Sequence, residues 1–524
     1  MDTAIKILPR NFRTIFTNPQ AKTAGENASF DGVLVLFFML AAAAAGWFLL
    51  LKQSLRLDEA QSLWQTDRSL SGMFHLVAQD VHVPLYHVLL HFWQQLFGNQ
   101  VEGARLFSLI FFLASIPAVY VLGKMSLGRP AGLFASLLAA FSPFLNWYGN
   151  EIRMYSLFVF LAVLNHYAFL RLFEAIEAGK RESTVSTVWI WAGYGITLLL
   201  GVYTHYFFWL ILFSQAMFFL LYRSSFPKGA LLKFAAIATG VFISVLPWVY
   251  WVWRMGSAGN SQPLLFKPGT LDLFNALYAY FFGYHGTAAN SLVLASWPVL
   301  VLLLFFGLQK NKSIPKPAIY FLLASVMPLL LAFALSFVRP VFSARYLIFV
   351  APTLYLFISW LFSTYEGKLE WVLKSVLVVA MAAMVVSQGV GSQVPVREDF
   401  RLASSLISKQ ATSRDIVAVS APFTVYPFEY YYRGPARVAT IPAWDRLARG
   451  PIPKFSQAEL VEETNNFKSL YSRIWLVTSY DQGYEKEIHN YFETHFHREF
   501  EREVSPGLTV YAYRLRYDGL SHEY

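Results

Sequence analysis

Apolar stretches long enough to cross a bilayer recur along most of this chain, and they constrain its fold more than any other feature. The 524 residues are 56% hydrophobic and only 14% charged, which gives more apolar surface than a soluble fold can bury. We therefore predict a polytopic α-helical membrane protein with about eleven transmembrane helices. The predicted spans are 32–51, 104–123, 131–147, 154–173, 187–203, 205–222, 234–253, 291–308, 318–338, 346–363 and 370–387. The block 187–222 can also be divided differently.

The N-terminal segment predicts how the first span is used. Its first thirty residues are polar and contain Lys6, Arg10, Arg13 and Lys22. A cleaved signal peptide would instead show an apolar region followed by small residues. We expect no cleaved signal peptide, and the first span to be retained as an anchor.

Lysine and arginine residues between the spans predict the orientation. With the N-terminus in the cytoplasm, the basic loops all lie inside, as the positive-inside rule requires. These loops contain Lys124, Arg129, Lys180, Arg181, Arg223, Lys228, Lys233, Lys310, Lys312, Lys316, Lys368 and Lys374. An odd number of spans then places the C-terminus outside, together with the loops 52–103, 147–153, 254–290 and 339–345. A miscount of one span would reverse the side of whatever follows it. We expect a multi-pass protein of the inner or plasma membrane.

The chain changes character after residue 391. We divide it into a transmembrane domain, 1–391, and a small extracytoplasmic α/β domain, 392–524, because β-rich runs at 415–420 and 473–479 alternate with helical patterns at 398–409 and 484–495. This part contains neither G-x-G-x-x-G nor a P-loop, so nucleotide-binding loops have no support. The basic residues responsible for the net charge of +10 lie mainly between the spans. This distribution indicates the topology of the protein rather than a nucleic-acid partner.

The first outer loop, 52–103, carries two adjacent carboxylates, Asp58 and Glu59, directly after the first span. Carboxylates beside low-dielectric surroundings can have raised pKa values and act as general bases. The alternative is a solvated cap at a helix end. Further along the loop, Leu85, Leu89, Phe92 and Leu96 share one side of an amphipathic helix, which we expect to lie on the membrane surface.

Histidines in the same loop raise the question of a metal. His87 and His91 are one helical turn apart, and Asp80 and His82 are near in sequence, so they could hold a divalent cation. The alternative is a set of hydrogen-bonded histidines at headgroup level. The sequence contains no cysteine, which removes thiolate chemistry. No cofactor is required by the sequence, and a divalent metal is possible.

A second polar cluster lies in the short outer loop before the fourth span. Glu151 and Arg153 are costly near a membrane unless they are paired or line a wet cavity, and Tyr155 follows them. The alternative is an arginine that reaches the interface with Glu151 as its partner. Other polar groups expected on this side are Tyr203, His205, Tyr206, Arg254, Lys267, Arg339, Arg345 and Tyr346. Guanidinium groups beside a carboxylate suit a reaction on a lipid phosphate.

In order, these motifs resemble those of the GT-C membrane glycosyltransferases. The resemblance is to the family 39 type, which includes protein O-mannosyltransferases and aminoarabinose transferases acting on lipid A. It covers roughly residues 30–360. The motifs are Leu57-Asp58-Glu59-Ala60, His82-Val83-Pro84-Leu85-Tyr86, Ala104-Arg105-Leu106, Ser142-Pro143, Glu151-x-Arg153-x-Tyr155 and Arg345-Tyr346. The family often has two prolines after the histidine, whereas this chain has Val83 at the first of these positions.

The resemblance implies a sugar donor carried on a polyprenyl phosphate, an envelope acceptor and transfer with inversion. It implies Asp58 and Glu59 as the catalytic pair, with Asp58 as the general base or the carboxylate that positions the acceptor and Glu59 as the neighbour that shapes the site. Arg153 and Arg345, and more weakly Arg105, would bind the donor phosphate. The pocket would be lined by His82, Glu151, Tyr155, Tyr346 and His205.

Two other functions remain open on the sequence alone. A transporter or lipid-linked sugar flippase would place ionisable groups near the bilayer midplane, often in repeated halves. Here the charged residues lie at the ends of the spans and no internal repeat is visible. A non-catalytic scaffold would have no reason to gather Asp58, Arg153 and Arg345 on one membrane face.

Overall fold

The structure of the chain is a computed structural model. It describes residues 19–51, 53–80, 82–177, 185–255, 267–284, 298, 301–310, 313–365, 367–390, 398–448, 452–479 and 483–516. Part of the predicted span 291–308, Lys180, Arg181 and the predicted domain boundary at 391 and 392 lie outside these residues.

Six helices in the described part are long and apolar enough to cross a membrane. They are Ser29–Phe48, Val101–Leu127, Tyr155–Glu177, Lys228–Met255, Lys316–Leu335 and Gly367–Val390. Five shorter apolar helices accompany them: Arg129–Phe141, Thr187–Val202, Tyr206–Leu221, Val301–Lys310 and Val350–Ser363. Each of these helices overlaps one of the predicted spans, and the predicted fold class of a polytopic α-helical membrane protein is confirmed.

A break between two helices at Ser142-Pro143 creates the outer loop that carries Arg153. Residues before a proline favour extended backbone, and Ser142 is extended, with its side chain accepting a hydrogen bond from the Leu145 N–H at 3.1 Å. The short helix Pro143–Gly149 follows, and the chain turns before the helix Tyr155–Glu177 begins. The loop is thereby held against the bundle rather than projecting from it.

A cluster of charges holds the inner ends of three helices together. Asp31 is buried and accepts hydrogen bonds from the Tyr120 hydroxyl at 2.5 Å and from Arg129 Nε at 2.7 Å. Lys124 Nζ lies 3.5 Å from the same carboxylate. These contacts join the first spanning helix to the helices Val101–Leu127 and Arg129–Phe141, at the end that the basic loops predict to be cytoplasmic.

The first outer loop folds into three helices, Leu57–Thr66, Leu70–Gln79 and Leu85–Phe97. We call the first of these the Asp58 helix. The third is amphipathic: Leu90 is buried, while Phe92, Leu96 and Phe97 are exposed. This pattern is the one expected of a helix on a membrane surface.

The C-terminal part is a five-stranded sheet covered by helices on both faces. The strands are β1 Asp415–Ser420, β2 Arg437–Thr440, β3 Arg473–Ser479, β4 His497–Ser505 and β5 Leu508–Arg514, in the order β2-β1-β3-β5-β4. β1 is parallel to β2 and β3, and β5 is antiparallel to β3 and β4. The helices are Phe400–Gln410, Val425–Tyr431, Gln457–Leu470 and Glu485–His495. Both predicted β-runs and both predicted helical patterns are found.

Successive apolar side chains of β1 alternate between the two faces of the sheet, and this alternation explains why both faces are covered. Val417 and Val419 point to one face and pack with the helices that carry Phe400 and Phe428. Ile416 points to the other face, toward the helices that carry residues such as Leu460, Ile488 and Phe492. Successive strand residues face opposite sides of a sheet, so a strand that is apolar throughout requires two helical layers.

Candidate active site

Asp58 and Glu59 lie in the first turn of the Asp58 helix, where the helix dipole favours negative charge. The Glu59 carboxylate also accepts a hydrogen bond from the Arg56 N–H at 2.9 Å, which fixes the start of the helix. Successive side chains leave an α-helix about 100° apart. The two carboxylates therefore point into different surroundings, and these surroundings separate their roles.

Glu59 is bound by Arg105 in a fully buried, bidentate ion pair. Arg105 Nε lies 2.8 Å from one carboxylate oxygen of Glu59 and Nη2 lies 2.5 Å from the other, and both side chains are 0% exposed. The remaining Arg105 N–H groups donate to the carbonyl oxygens of Leu51, Gln53 and Ser54 at 2.7–3.1 Å. All five donors of this guanidinium group are thus bonded to protein acceptors.

This geometry bears on the roles that the sequence analysis assigned to Arg105 and Glu59. Arg105 is buried and all of its N–H groups donate to protein acceptors, so in this structure it does not present a donor toward the Asp58 side of the helix, and its binding of a donor phosphate stays a prediction. Burial alone would raise the pKa of Glu59, but the charge of Arg105 holds it below its ordinary value. Glu59 is therefore an ionised structural group, and with Arg105 it holds the segment that leads into the Asp58 helix.

Asp58 is instead partly exposed and faces two arginines. Its Oδ2 lies 3.0 Å from Arg345 Nη1, and the side chains of the pair are 26% and 27% exposed respectively. Arg153 Nη1 approaches the main-chain oxygen of Asp58 at 3.3 Å. Burial would raise the pKa of Asp58, but the charges of Arg153 and Arg345 outweigh it and keep the pKa below its ordinary value. Asp58 is therefore ionised at neutral pH.

Arg153 lies behind this pair and is only 4% exposed. Its Nη1 also contacts Ser62 Oγ at 3.3 Å, and its Nη2 lies 2.6 Å from His82 Nε2. Burial and the Arg153 charge hold the pKa of His82 well below its ordinary value. His82 is therefore neutral and accepts from Arg153. Arg153 is therefore a buried positive charge behind the Asp58–Arg345 pair, whereas the guanidinium group of Arg345 is more accessible.

Aromatic side chains form the wall beside Arg345. The His205 ring stacks on Phe158 at 4.7 Å and lies 5.7 Å from the ring of Tyr346 and 6.4 Å from that of Tyr155. The guanidinium carbon of Arg345 lies 5.2 Å from the centre of the Tyr346 ring. Burial lowers the pKa of His205 to about 3, assisted by Arg153 and Arg345. The wall is therefore uncharged, so the charges of the site are concentrated on Asp58 and the two arginines.

Glu151 forms a further ion pair whose partner the sequence analysis missed. Its Oε2 lies 2.8 Å from Arg56 Nη1, and the Arg56 guanidinium lies 3.6 Å from the centre of the Trp147 ring. Burial raises the pKa of Glu151 to about 7, although Arg56 opposes this shift. Arg56 directly precedes the Leu57-Asp58-Glu59 motif, and this position is the one sequence signal that could have identified it.

The candidate metal ligands named from the sequence are Asp80, His82, His87 and His91, and no three of them come together as a metal site. His91 Nδ1 lies 2.8 Å from the Thr66 carbonyl oxygen and Nε2 lies 2.8 Å from Gln95, so neither nitrogen faces a shared centre. Asp80 accepts instead from Gln61 at 3.0 Å and from Gln65 at 3.1 Å. Among the described residues, no group of three or more histidine, aspartate or glutamate side chains is arranged to hold a metal ion.

Comparisons with known proteins agree with this architecture. A family model described as dolichyl-phosphate-mannose-protein mannosyltransferase matches residues 81–251. The crystal structure of ArnT from Cupriavidus metallidurans bound to undecaprenyl phosphate is similar, with a TM-score of 0.60 at 13% identity over 91% of this chain and 97% of that chain. The chain therefore shares the fold of this ArnT structure.

Two other solved structures are also similar in fold. The apo state of the same ArnT gives a TM-score of 0.59 at 13% identity, with the same coverage of 91% and 97%. The arabinofuranosyltransferase AftD from Mycobacteria gives 0.51 at 13% identity, over 92% of this chain but 40% of that larger protein. A search of curated protein sequences gives no significant match. At these identities, the similarity shows the fold rather than the substrates.

Within this fold, most of the predicted site residues meet at one place. Asp58, Arg153, Arg345 and His82 are linked by the hydrogen bonds and ion pairs described above, and Tyr155, Tyr346 and His205 stand beside them as predicted for the pocket. The sequence analysis missed Ser62 on the Asp58 helix and the Tyr148–Tyr284 pair, whose hydroxyl groups are 2.7 Å apart. No local motif signals these residues, because each is brought in by packing.

Proposed function

We propose that this protein is a membrane glycosyltransferase that moves a hexose or pentose from a polyprenyl-phosphate donor to an envelope acceptor. The acceptor is a lipid, a glycan or a protein on the extracytoplasmic side. One observation carries the proposal: Asp58 is a partly exposed, ionised carboxylate that faces an accessible arginine, in a surrounding of otherwise buried groups. The GT-C fold supports a lipid-linked donor, since the similar ArnT structure holds undecaprenyl phosphate.

Asp58 acts as the general base in this proposal. The acceptor hydroxyl attacks the anomeric carbon from the face opposite the phosphate, and Asp58 takes its proton as the new bond forms. The bond between the anomeric carbon and the phosphate oxygen breaks, and polyprenyl phosphate leaves with the electron pair, so the configuration is inverted. Proton removal by one positioned carboxylate contributes on the order of 10²- to 10⁴-fold in rate.

Arg345 binds the donor phosphate, and Arg153 contributes charge from behind it. Fixed positive groups stabilise the negative charge that develops on a leaving phosphate. A phosphate beside Arg345 also shares the positive charge that now faces Asp58. Because that charge holds the pKa of Asp58 down, donor binding makes the carboxylate a stronger base when it is needed.

The orientation of the protein follows from charge at the opposite end of the bundle. Lys124 and Arg129 lie there with Asp31, and Lys316 pairs with Glu177. Basic residues favour the cytoplasmic side of a membrane. The Asp58 site therefore faces the extracytoplasmic side, where envelope acceptors are found.

Mass spectrometry of envelope glycolipids and glycoproteins tests the proposal. Cells with the gene, cells without it, and cells restored with either the wild-type chain or the Asp58→Asn variant are compared. We expect one sugar modification to disappear without the gene, to return with the wild type and to stay absent with Asp58→Asn. An unchanged glycan profile in cells lacking the gene would overturn the proposed activity, and full restoration by Asp58→Asn would overturn the role of Asp58.

A lipid-linked sugar flippase is the second candidate, because polar side chains also meet inside the bundle. His166 Nδ1 lies 2.6 Å from the Tyr320 hydroxyl, and Gln215 bonds to Asn165 at 2.9 Å and to Tyr194 at 2.7 Å. Buried ionisable residues within spans often mark transport pathways. Accumulation of an unused lipid-linked sugar on the inner leaflet in cells lacking the gene would favour this function over transfer.

A further inference from the structure

The segment that leads into the Asp58 helix is held from two sides. Arg105 bonds to its carbonyl groups from the membrane domain. From the C-terminal sheet domain, the Tyr431 hydroxyl accepts a hydrogen bond from the Leu55 N–H at 3.0 Å. The Arg401 N–H donates to Ser54 Oγ at 3.3 Å. Leu55 is buried, so removal of the tyrosine hydroxyl would take this acceptor away from the N–H of a buried residue.

The same domain also contacts the far end of the Asp58 helix. The Trp64 ring lies 5.1 Å from the ring of Tyr426. The guanidinium group of Arg446 lies 5.5 Å from the Trp64 ring and 5.3 Å from the Tyr426 ring, and it forms an ion pair with Glu429 at 2.8 Å. Aromatic pairs and stacked arginines each stabilise such a contact beyond the burial of surface.

Both contacts come from one short helix, Val425–Tyr431, which we call the clamp helix. It touches the beginning of the Asp58 helix through Tyr431 and the end through Tyr426. Arg345 comes from a distant part of the chain, so the 3.0 Å pair with Asp58 requires the Asp58 helix to be held in one place. A displacement of about 1 Å at a reacting group can cost 10²-fold in rate.

We propose that the C-terminal domain is part of the catalytic apparatus, with Tyr431 as a positioning residue that fixes the Asp58 helix against Arg345. The contacts described above support the clamp, whatever reaction the protein catalyses. Its catalytic consequence rests on the proposed transferase function. In this proposal the C-terminal domain does not merely cover the membrane surface, because it determines the position of the catalytic base.

Tyr430 provides a matched control. Its hydroxyl also donates one hydrogen bond from the clamp helix to the membrane domain, to the Asn99 carbonyl oxygen at 2.8 Å, but this contact lies away from the Asp58 helix. Tyr431→Phe and Tyr430→Phe each remove one hydroxyl and keep the ring. Because both variants lose one hydrogen bond, a difference between them reflects where the lost hydrogen bond lies.

Hydrogen–deuterium exchange of the full-length protein in lipid nanodiscs tests the clamp without any substrate. We expect Tyr431→Phe to accelerate exchange of the amides from Leu55 to Glu59 by about tenfold, the effect of losing one buried hydrogen bond. We expect Tyr430→Phe to leave these amides unchanged. Equal exchange of this segment in the wild type and in Tyr431→Phe would overturn the clamp, whatever reaction the protein catalyses.

Transfer by isolated membranes with their endogenous donor tests the positioning role. We expect about tenfold slower transfer by Tyr431→Phe and normal transfer by Tyr430→Phe. The groups facing Asp58 are Arg153, Arg345 and His82, and a loosened helix lessens the effect of both arginines. The acidic limb of the pH–rate profile should therefore move to higher pH, which a mere loss of folded protein would not produce.

The two measurements separate the possible failures. Accelerated exchange with unchanged transfer and an unchanged pH profile would overturn the positioning role of Tyr431. If wild-type membranes transfer no sugar, the proposed function fails, and the exchange experiment alone decides whether the clamp exists.

Discussion

Two neighbouring carboxylates on one helix, each paired with an arginine, differ in almost every other respect. Glu59 and Arg105 are sealed from solvent and fully bonded, whereas Asp58 and Arg345 are about one quarter exposed and joined by a single contact. The buried pair cannot exchange a partner without leaving an unpaired charge. The exposed pair can open to admit a phosphate or a hydroxyl. Under the proposed function, the buried carboxylate of Glu59 holds the structure and the exposed carboxylate of Asp58 carries out the chemistry, and solvent access distinguishes the two.

The largest expected effect is on the rate of transfer when the exposed carboxylate is neutralised. Asp58→Asn removes the base but keeps the size of the side chain, so we expect transfer in isolated membranes to fall about 10²- to 10⁴-fold. The thermal unfolding midpoint should stay near that of the wild type, because partly exposed ion pairs contribute little to stability. Rapid transfer by well-folded Asp58→Asn protein would show that Asp58 is not needed as a base, and the proposed functional difference between Asp58 and Glu59 would be lost.

The next effect is on folding when the buried pair is broken. Arg105→Met leaves Glu59 buried without its partner, so we expect a loss of about 3–5 kcal/mol of stability. Size-exclusion chromatography and thermal unfolding in mild detergent measure the yield and the midpoint of the variant. A stable Arg105→Met protein with a specific defect in donor binding would instead support the phosphate-binding role predicted from the sequence.

A smaller effect is expected on lipid binding when the exposed arginine is replaced. Arg345→Gln loses a charge-assisted contact worth about 1.5–3 kcal/mol, so undecaprenyl phosphate should bind about 10- to 100-fold more weakly. Titration of the detergent-solubilised protein with this lipid, monitored by native mass spectrometry, gives the dissociation constants. Arg153→Ala provides the comparison, since that side chain lies behind the site and should weaken binding less.

The last expected effect is on the pH dependence of stability, through Glu151. Its pKa in the folded protein is raised from the ordinary value of 4.5 to about 7. The folded state therefore binds more protons between these pH values, and stability falls as the pH rises through this window. Glu151→Gln cannot titrate, so its unfolding midpoint should decrease less over the same range. Identical pH profiles of the variant and the wild type would show that Glu151 ionises normally.

The fold was predictable because spanning helices carry their signal locally, in length and hydropathy, whereas the orientation stays a prediction from flanking charge. Much of the site was predictable for a related reason. Asp58, Arg153 and Arg345 are polar groups at span ends, where an unneeded charge is costly. Their expected location on one side of the bundle was enough to group them.

The pairing of these groups was not predictable. Nothing in the sequence indicates that Arg105 binds Glu59 while Arg345 binds Asp58, because each choice depends on how the helices are rotated. His91 looked like a ligand, but its partners are the Thr66 carbonyl group and Gln95. The contact of Tyr431 with Leu55 joins residues 376 positions apart, and no periodicity or motif encodes such a distance.

The shared carboxylate of Asp31 has a consequence for how the protein is made. Its partners Tyr120, Lys124 and Arg129 belong to the next two helices, Val101–Leu127 and Arg129–Phe141, which are synthesised later. An ionised carboxylate at the end of a membrane helix is costly unless it is paired. We therefore expect the first helix to be held firmly in the bilayer only after the next two helices have supplied these partners.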